Sequence, residues 1–426
     1  MKQHTDFSFR PASRTQMFFC YLAAAILTVV LLLGGNSRSY AQSFTEKPYE
    51  LRFAPDFWYN DVDGIRLGVR MRGQVPGTFD DGPHRLDTGL WLGTWLPDTP
   101  VSYYIKYTNP IASISDFNSE GSYSLLSSIR AGFHRHGLGF DKRWQPGFNE
   151  DEFTQFAAFG GVYRHFDDEY LVFPALWQDG WTPHLAMSAQ RQQATEAGFL
   201  YYRASAFTGL ADGEDLFSSL QAEVRKSIAL SRQFNIRLRV SGGYAAGEVP
   251  PEQRYLASQA TAFSWMNSGF FRAKGTIPVP WMESGAFQLT GNAANIRGYA
   301  GRDARNARNG TPVFYEAYTA INAEIDYPNP IDRIFESIPI LGDFLRLRSY
   351  LFTDVFSGAR YSDDRTENLA DAGAGFALSL NIPDQLGRPR GFVLRCDLPV
   401  WLSSPEPGED PLKLRGIVSF GAVIGF

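Results

Sequence analysis

Apolar and polar residues alternate with a period of two along most of this chain. Between residues 345 and 355, Leu345, Leu347 and Leu351 alternate with Arg346 and Arg348. The same alternation appears in residues 64 to 73, 235 to 240, 313 to 327, 392 to 402 and 413 to 426. A side-chain period of two is that of a β-strand with one apolar and one polar face. The pattern therefore predicts an all-β protein.

Sixteen strands are predicted in this way, with the strand number in residues 137 to 215 left open. Most of them are longer than the roughly 5 to 6 residues usual in soluble sheets, and aromatic residues collect at strand ends, as at Trp58 and Tyr59. A soluble sandwich would also alternate. The strand length and the aromatic ends favour a transmembrane antiparallel β-barrel. The predicted strands cover residues 64 to 73, 86 to 96, 100 to 108, 123 to 135, 153 to 166, 184 to 192, 197 to 207, 218 to 230, 233 to 246, 256 to 266, 268 to 276, 312 to 327, 345 to 357, 370 to 381, 391 to 402 and 413 to 426.

The first 41 residues differ from all that follow. Basic residues precede an apolar run from 17 to 35, and Ser39-Tyr40-Ala41 follows as a small-x-small sequence. This pattern predicts a signal peptide that is cleaved after Ala41. The alternative is an uncleaved anchor, because the run is long enough to span a bilayer. Residues 42 to 60 then form a short periplasmic segment, and residues 61 to 426 form the barrel domain.

Composition narrows the classes of protein further. Of 426 residues, 15% are aromatic and 20% are charged, which excludes disorder. The net charge is −5, or −8 without the first 41 residues, and it argues against nucleic acid as a partner. The exported chain would hold one cysteine, Cys396, so stability must come from packing and strand pairing rather than from an internal disulfide.

A motif between the predicted strands at 268 and 312 indicates a family. The tetrad Ile296-Arg297-Gly298-Tyr299 lies in a long loop and resembles the signature loop of the outer-membrane-protein assembly factor and two-partner-secretion translocator superfamily, the bacterial surface antigen barrels. Further segments resemble the family in the same order, over roughly residues 57 to 426. They are residues 59 to 64 (YNDVDG), 286 to 291 (AFQLTG), 324 to 328 (EIDYP), 352 to 354 (FTD) and 372 to 376 (AGAGF).

The resemblance implies that this loop folds into the lumen and that Arg297 pairs with Asp354. A buried arginine needs such a partner, and Glu316 or Glu324 are the alternatives. Gly298 is expected to allow a sharp turn and Tyr299 to pack on the wall. The competing interpretation is that Arg297 is one of several solvated loop arginines. Parity also predicts lumen-facing charges at Arg66, Arg70, Arg346, Arg348, Arg395 and Asp397.

Two departures from the family pattern stand out. Phe356 occupies the place where the family's strand motif has glycine, and only residues 42 to 60 precede the first predicted strand, so POTRA domains are not expected. The terminal Phe426 resembles the family's barrel-assembly signal. The predicted gate lies between residues 64 to 73 and residues 413 to 426.

The expected function is insertion or translocation of polypeptide in the outer membrane of a Gram-negative bacterium. A passive pore for small solutes is the alternative, and a hydrolase using His134 or His136 ranks third. We predict no catalytic residue, metal or cofactor. The expected partners are outer-membrane lipid and lipopolysaccharide, the barrel assembly machinery during biogenesis, and a client polypeptide or periplasmic partner.

Overall fold

The computed structural model describes residues 49–74, 85–147, 149, 151–231, 234–268, 272–291, 293–331, 345–363, 365–383 and 389–422. The predicted signal peptide and Phe426 lie outside these residues. The described residues belong to one compact unit that begins at Tyr49.

Long antiparallel strands make up most of the fold, which confirms the all-β prediction. Each strand pairs with the strand before it in the chain, with two exceptions. β13 pairs with β11, and the short β12 pairs with β17. The strands are β1 Glu50–Asn60, β2 Gly64–Gln74, β3 Arg85–Gly93, β4 Val101–Pro110, β5 Ser119–Arg130, β6 Phe133–Trp144, β7 Phe153–His165, β8 Thr182–Thr195, β9 Gly198–Ala211, β10 Asp215–Ala229, β11 Asn235–Gly247, β12 Phe287–Gln288, β13 Tyr315–Asp326, β14 Leu345–Arg360, β15 Thr366–Pro383, β16 Pro389–Leu402 and β17 Ile417–Ala422.

The predicted strands differ from the observed ones in two ways. The strands β1 and β6 and the short β12 were not predicted, and the predicted first strand is β2. Proline inside a run argues against a strand, which hid β1 at Pro55. In β6, His134, His136 and Lys142 share the parity of Leu138 and Phe140, so the apolar face is short. Conversely, the predicted strands at 256 to 266 and 268 to 276 are a loop and a helix wherever the structure describes them.

Residues 248 to 314, called the insert below, connect β11 to β13. They contain α1 Ala262–Ser268, α2 Val279–Ser284, β12 and α3 Ala300–Arg308. Within the described residues, no helix has the length and apolarity needed to cross a membrane.

The insert lies inside the curved sheet. Its residues hydrogen-bond to strands from widely separated parts of the sheet: Glu252 to β7, Asn267 to β6, Ala294 to β11 and Gly298 to β15. A sheet can reach one segment from so many strands only by curling around it, which makes the sheet a barrel with a filled lumen.

The two faces of the sheet differ in chemistry. On β14, Leu351 and Val355 are 52% and 47% exposed, whereas Tyr350, Phe352 and Asp354, which have the opposite parity, are buried. The other strands also carry exposed Leu, Val and Ile on the outer face. An outer apolar face and a polar lumen are typical of strands that face lipid.

The last strand has an unusual neighbour. One edge of β17 pairs with β16, and the other pairs in parallel with β12, where Gln288 lies opposite Ser419. The Val418 backbone N–H donates to the carbonyl of Ala286 at 2.7 Å. Among the described residues β1 and β17 share no hydrogen-bonded register. The insert therefore occupies part of the edge that would close the barrel.

Candidate functional site

Arg297 opens a single 3-10 turn, Arg297–Tyr299, at the wall of the lumen. Its Nε and Nη2 each donate to one carboxylate oxygen of Asp354 on β14, both at 2.9 Å. The Arg297 backbone N–H donates to the same carboxylate at 3.2 Å. Two parallel bonds of this kind form the planar fork by which arginine binds carboxylates most strongly.

The remaining nitrogen of Arg297 joins two other strands to the pair. Its Nη1 donates to Glu324 on β13 at 3.0 Å and to Asp397 on β16 at 3.3 Å. Arg348 and Arg395 bind the same Glu324, at 2.8 and 2.5 Å. The insert is thus bound to three neighbouring strands through one guanidinium group.

This network is closed to solvent. Arg297 is 4% exposed and Asp354 is 0% exposed, and the Arg297 guanidinium lies 3.8 Å from the ring centre of Phe352. Burial by itself lowers the pKa of Arg297, but the carboxylates of Asp354, Asp397 and Glu324 outweigh burial and hold that pKa well above its usual range. The guanidinium therefore stays charged.

Gly298 serves close approach rather than a sharp turn, which corrects the expectation from the sequence. Its N–H donates to the carboxylate of Asp371 on β15 at 2.7 Å. A Cβ at this position would come within 2.2 Å of the Leu402 side chain and 2.9 Å of the Asp371 Cβ. Only glycine brings the backbone this near to the wall.

Ile296 and Tyr299 flank this contact, and both are buried in one apolar cluster with Phe356. The Tyr299 hydroxyl donates to the carbonyl of Ala370 at 3.2 Å and accepts from the Ser404 N–H at 3.1 Å. Phe356, the departure from the family motif, packs edge-on against Tyr315 with ring centres 4.8 Å apart. The larger side chain fills space next to the tetrad.

Other predicted residues lie elsewhere. Glu316 belongs to none of the ion pairs among the described residues, so it is not a partner of Arg297. Arg346 lies at the exposed start of β14 and likewise has no ion pair in the described part of the chain. Arg66 and Arg70 lie on β2 far from the tetrad, 3.5 Å from Asp63 and 3.7 Å from Asp56.

Sequence reasoning missed several members of the network. Asp371 binds Gly298, and the Tyr350 hydroxyl donates to Asp397 at 2.6 Å. Asn322 donates to Asp354 at 3.0 Å and accepts from Arg239 at 2.8 Å. Parity could have placed Asn322 and Tyr350 in the lumen, but strand pairing alone decides which inward residues meet.

The histidines do not form a metal cluster in the described part of the chain. His136 contacts Ser127, with its Nδ1 3.0 Å from the Ser127 hydroxyl. No described carboxylate hydrogen-bonds to His136, so the third member of a catalytic triad has no candidate among these residues.

Comparison with known proteins gives no match to a family model and none to a curated protein. Among solved structures, the chain is similar to BamA from Haemophilus ducreyi lacking POTRA domains 1-3, with 12% identity, a TM-score of 0.43 and coverage of 88% of this chain and 71% of that one. It is also similar to CdiB from Escherichia coli, with 10% identity, a TM-score of 0.44 and coverage of 89% of this chain and 64% of that one. A third similar structure is a bacterial polysaccharide outer membrane secretin, with 9% identity, a TM-score of 0.37 and coverage of 88% of this chain and 97% of that one.

Proposed function

We propose that this chain is an integral outer-membrane β-barrel of the bacterial surface antigen superfamily and that it inserts or translocates polypeptide. The single observation that carries the proposal is the position of the insert. One part of it is bound to the wall through Arg297 and Asp354, and another part, β12, covers the edge of the last strand.

The position of β12 suggests where polypeptide acts. An unpaired strand edge binds other extended chains through main-chain hydrogen bonds. Here the insert supplies such a chain itself, through Phe287 and Gln288 against Val418 and Ser419. The gate is therefore proposed between β1 and β17, one strand earlier than the predicted pairing of residues 64 to 73 with the last strand.

A passive pore is the second candidate function. Its support is a lumen wall that carries side chains of both charge signs, such as Arg348 and Asp326 at 2.8 Å, because such walls conduct ions when water fills them. In this case the insert is a plug, and release of Arg297 would open the pore.

A reversible cross-link separates the two functions. In a Cys396→Ala background, Gln288→Cys with Ser419→Cys joins β12 to β17, since register partners lie within disulfide reach. The matched control, Val224→Cys with Val240→Cys, joins β10 to β11 away from this edge. Each protein is reconstituted in liposomes, and insertion of a urea-denatured eight-stranded outer-membrane barrel is followed by its heat-modifiable band.

Polypeptide insertion predicts that the unlinked protein accelerates assembly of the probe barrel at least tenfold over empty liposomes. Oxidation of the Gln288–Ser419 pair should abolish this acceleration and reduction should restore it, with no effect in the control pair. A protein that gives no acceleration but whose conductance rises on Arg297→Ala is a passive pore, and the polypeptide function is then wrong.

A further inference from the structure

A group of arginines on the opposite wall of the lumen has no function in the network around Arg297. The arginine cluster, as it is called here, consists of Arg66 on β2, Arg130 and Arg135 beside the β5–β6 turn, and Arg272 in the insert. Arg66 and Arg130 lie against the same ring, each 5.5 Å from the centre of Trp91. Arg130 also lies 4.8 Å from the centre of the Tyr104 ring.

The carboxylates of this wall are already engaged. Asp63 accepts from Asn60 at 2.7 Å and from Tyr170 at 2.9 Å, besides lying 3.5 Å from Arg66. Asp56 accepts from Trp91 at 2.8 Å. Another carboxylate of this wall, Asp87, binds Arg72 and Arg85 at 3.0 and 2.7 Å.

Arg130 and Arg135 form no ion pair within the described residues, and Asp56 acts on Arg130 only at longer range. The Nε of each is shielded from solvent and has no hydrogen-bond partner there. Arg135 donates to Asn267 of the insert and lies 4.3 Å from the ring centre of Phe159, and both of these partners are neutral. Partly buried guanidinium groups without a counter-charge are costly, so the cluster calls for an anion from outside the chain.

A neighbouring cavity presents hydrogen-bond donors. It measures about 40 Å³, large enough for more than one water molecule. Its lining includes Arg272, Lys274 and Trp265, and the Trp265 indole N–H has no described partner. Burial lowers the pKa of Arg272 well below its usual range, and the charges of Arg130, Arg66 and Arg135 lower it further.

We infer that the arginine cluster binds a phosphate group. Arginines that rest on neutral aromatic rings suit a tetrahedral dianion, because a guanidinium fork can offer two parallel donors to it. Arg66 follows the β1–β2 turn and Arg130 and Arg135 flank the β5–β6 turn, at the end of the barrel where the insert leaves β11. A phosphate there would also join the insert to the wall formed by the first six strands, through Arg272.

Calorimetric titration of the full detergent-solubilised barrel tests this inference. Inorganic phosphate is titrated at constant ionic strength against sodium chloride as the reference salt. Saturable binding is expected, together with a rise in the unfolding temperature that follows ligand occupancy. Arg130→Gln with Arg135→Gln should weaken binding at least tenfold. The matched control Arg164→Gln removes a partly exposed arginine paired with Asp179, in the loop before β8, and should leave binding unchanged.

If the double variant fails to show a heat-modifiable band, Arg272→Gln replaces it, since this residue is in the insert rather than in a strand. A short-chain phosphatidic acid forms the second arm of the test. Binding of inorganic phosphate identifies a free phosphate ligand, whereas binding of the phosphatidic acid alone identifies a lipid headgroup. Absence of saturable binding in both arms, or equal binding by the double variant, overturns the inference.

Discussion

The two walls of the lumen use arginine in opposite ways. On the wall formed by β13 to β16, the described inward arginines Arg348 and Arg395 meet carboxylates, and Glu324 binds both of them as well as Arg297 of the insert. On the wall formed by β2 to β6, Arg130 and Arg135 rest on aromatic rings and on neutral groups. The first wall is complete within the chain, whereas the second has an excess of positive charge.

The difference shows that a buried arginine can have either of two roles, depending on whether carboxylates surround it. A buried fork with matched carboxylates binds two parts of a chain together, and the loss of one partner leaves a charge without compensation. Arg130 and Arg135, which form no ion pair among the described residues, contribute little to the fold by themselves, and their remaining donors are available to a ligand. The predictions below separate these two cases, from the largest expected effect to the smallest.

Arg297→Ala should produce the largest loss of stability. Without this side chain, three buried carboxylates lose a shared partner, and breaking a buried pair typically costs about 3 to 5 kcal/mol. The midpoint of urea unfolding, followed by heat-modifiable mobility, measures the effect. The control Arg305→Ala removes a half-exposed pair with Glu406 and should cost about 0 to 1 kcal/mol. Equal losses in the two variants would contradict the contrast between the walls.

Glu252 tests whether burial without an arginine partner is costly for a carboxylate. It accepts from Tyr163 at 3.0 Å, and burial raises its pKa from 4.5 to about 7. The folded protein therefore holds a proton that the unfolded chain has released. The free energy of unfolding should fall as the pH rises from about 4.5 to about 7, by about 3 kcal/mol.

The pH dependence is measured by comparing the unfolding midpoint of the Glu252→Gln variant with that of wild type at two pH values. Relative to wild type, its unfolding midpoint should be higher at pH 8 than at pH 5, because glutamine cannot ionise. Glu214→Gln, in the exposed β9–β10 turn, serves as the control and should show the same difference at both pH values. A pH-independent difference for Glu252→Gln would mean that this carboxylate ionises freely in the folded barrel.

Gly298→Ala tests the close approach of the insert to the wall at β15 and β16. The added methyl group meets Leu402 and Asp371, and overpacking of this kind costs about 1 to 3 kcal/mol. In a double-mutant cycle, Leu402→Ala should relieve part of this cost. If the losses of stability from Gly298→Ala and Leu402→Ala simply add in the double variant, the added methyl group does not clash with Leu402.

Arg130→Gln should have the smallest effect in phosphate-free buffer. The variant loses ring contacts worth about 0.5 to 1 kcal/mol and gains relief from the repulsion among neighbouring arginines. Its unfolding midpoint should therefore lie within about 1 kcal/mol of wild type. A loss as large as that of Arg297→Ala would mean that both walls hold the insert equally, and the contrast between them would be wrong.

Much of the network around Arg297 could be predicted from the sequence. Alternation places Asp354, Arg348 and Arg395 on one face of their strands, and the tetrad around Arg297 suggests which loop meets them. Glu316 was proposed by the same logic and is not a partner, because it lies about 20 Å along β13 from Asn322, which contacts Asp354. Parity shows which face a residue occupies, but not which level of the barrel the loop reaches.

The arginine cluster could not be predicted by the same reasoning. Arg66 was predicted to face the lumen, but Arg130 lies at the end of a strand and Arg272 lies in a segment that alternates like a strand. The apolar residues of 256 to 266 pack inside the lumen against the rest of the insert and the wall. Their spacing therefore reflects burial in the lumen rather than contact with lipid. Local pattern cannot distinguish these two environments.

The sequence by itself determined the class of fold and the faces of most strands, since side-chain parity is a local property of the backbone. It also determined that an arginine in the tetrad would need a carboxylate. Only the tertiary structure decided which strands meet, because pairing between strands depends on register over long separations in the chain. The fold brings Arg297 to three carboxylates, leaves Arg130 and Arg135 against aromatic rings on the opposite wall, and places β12 on the edge of the last strand.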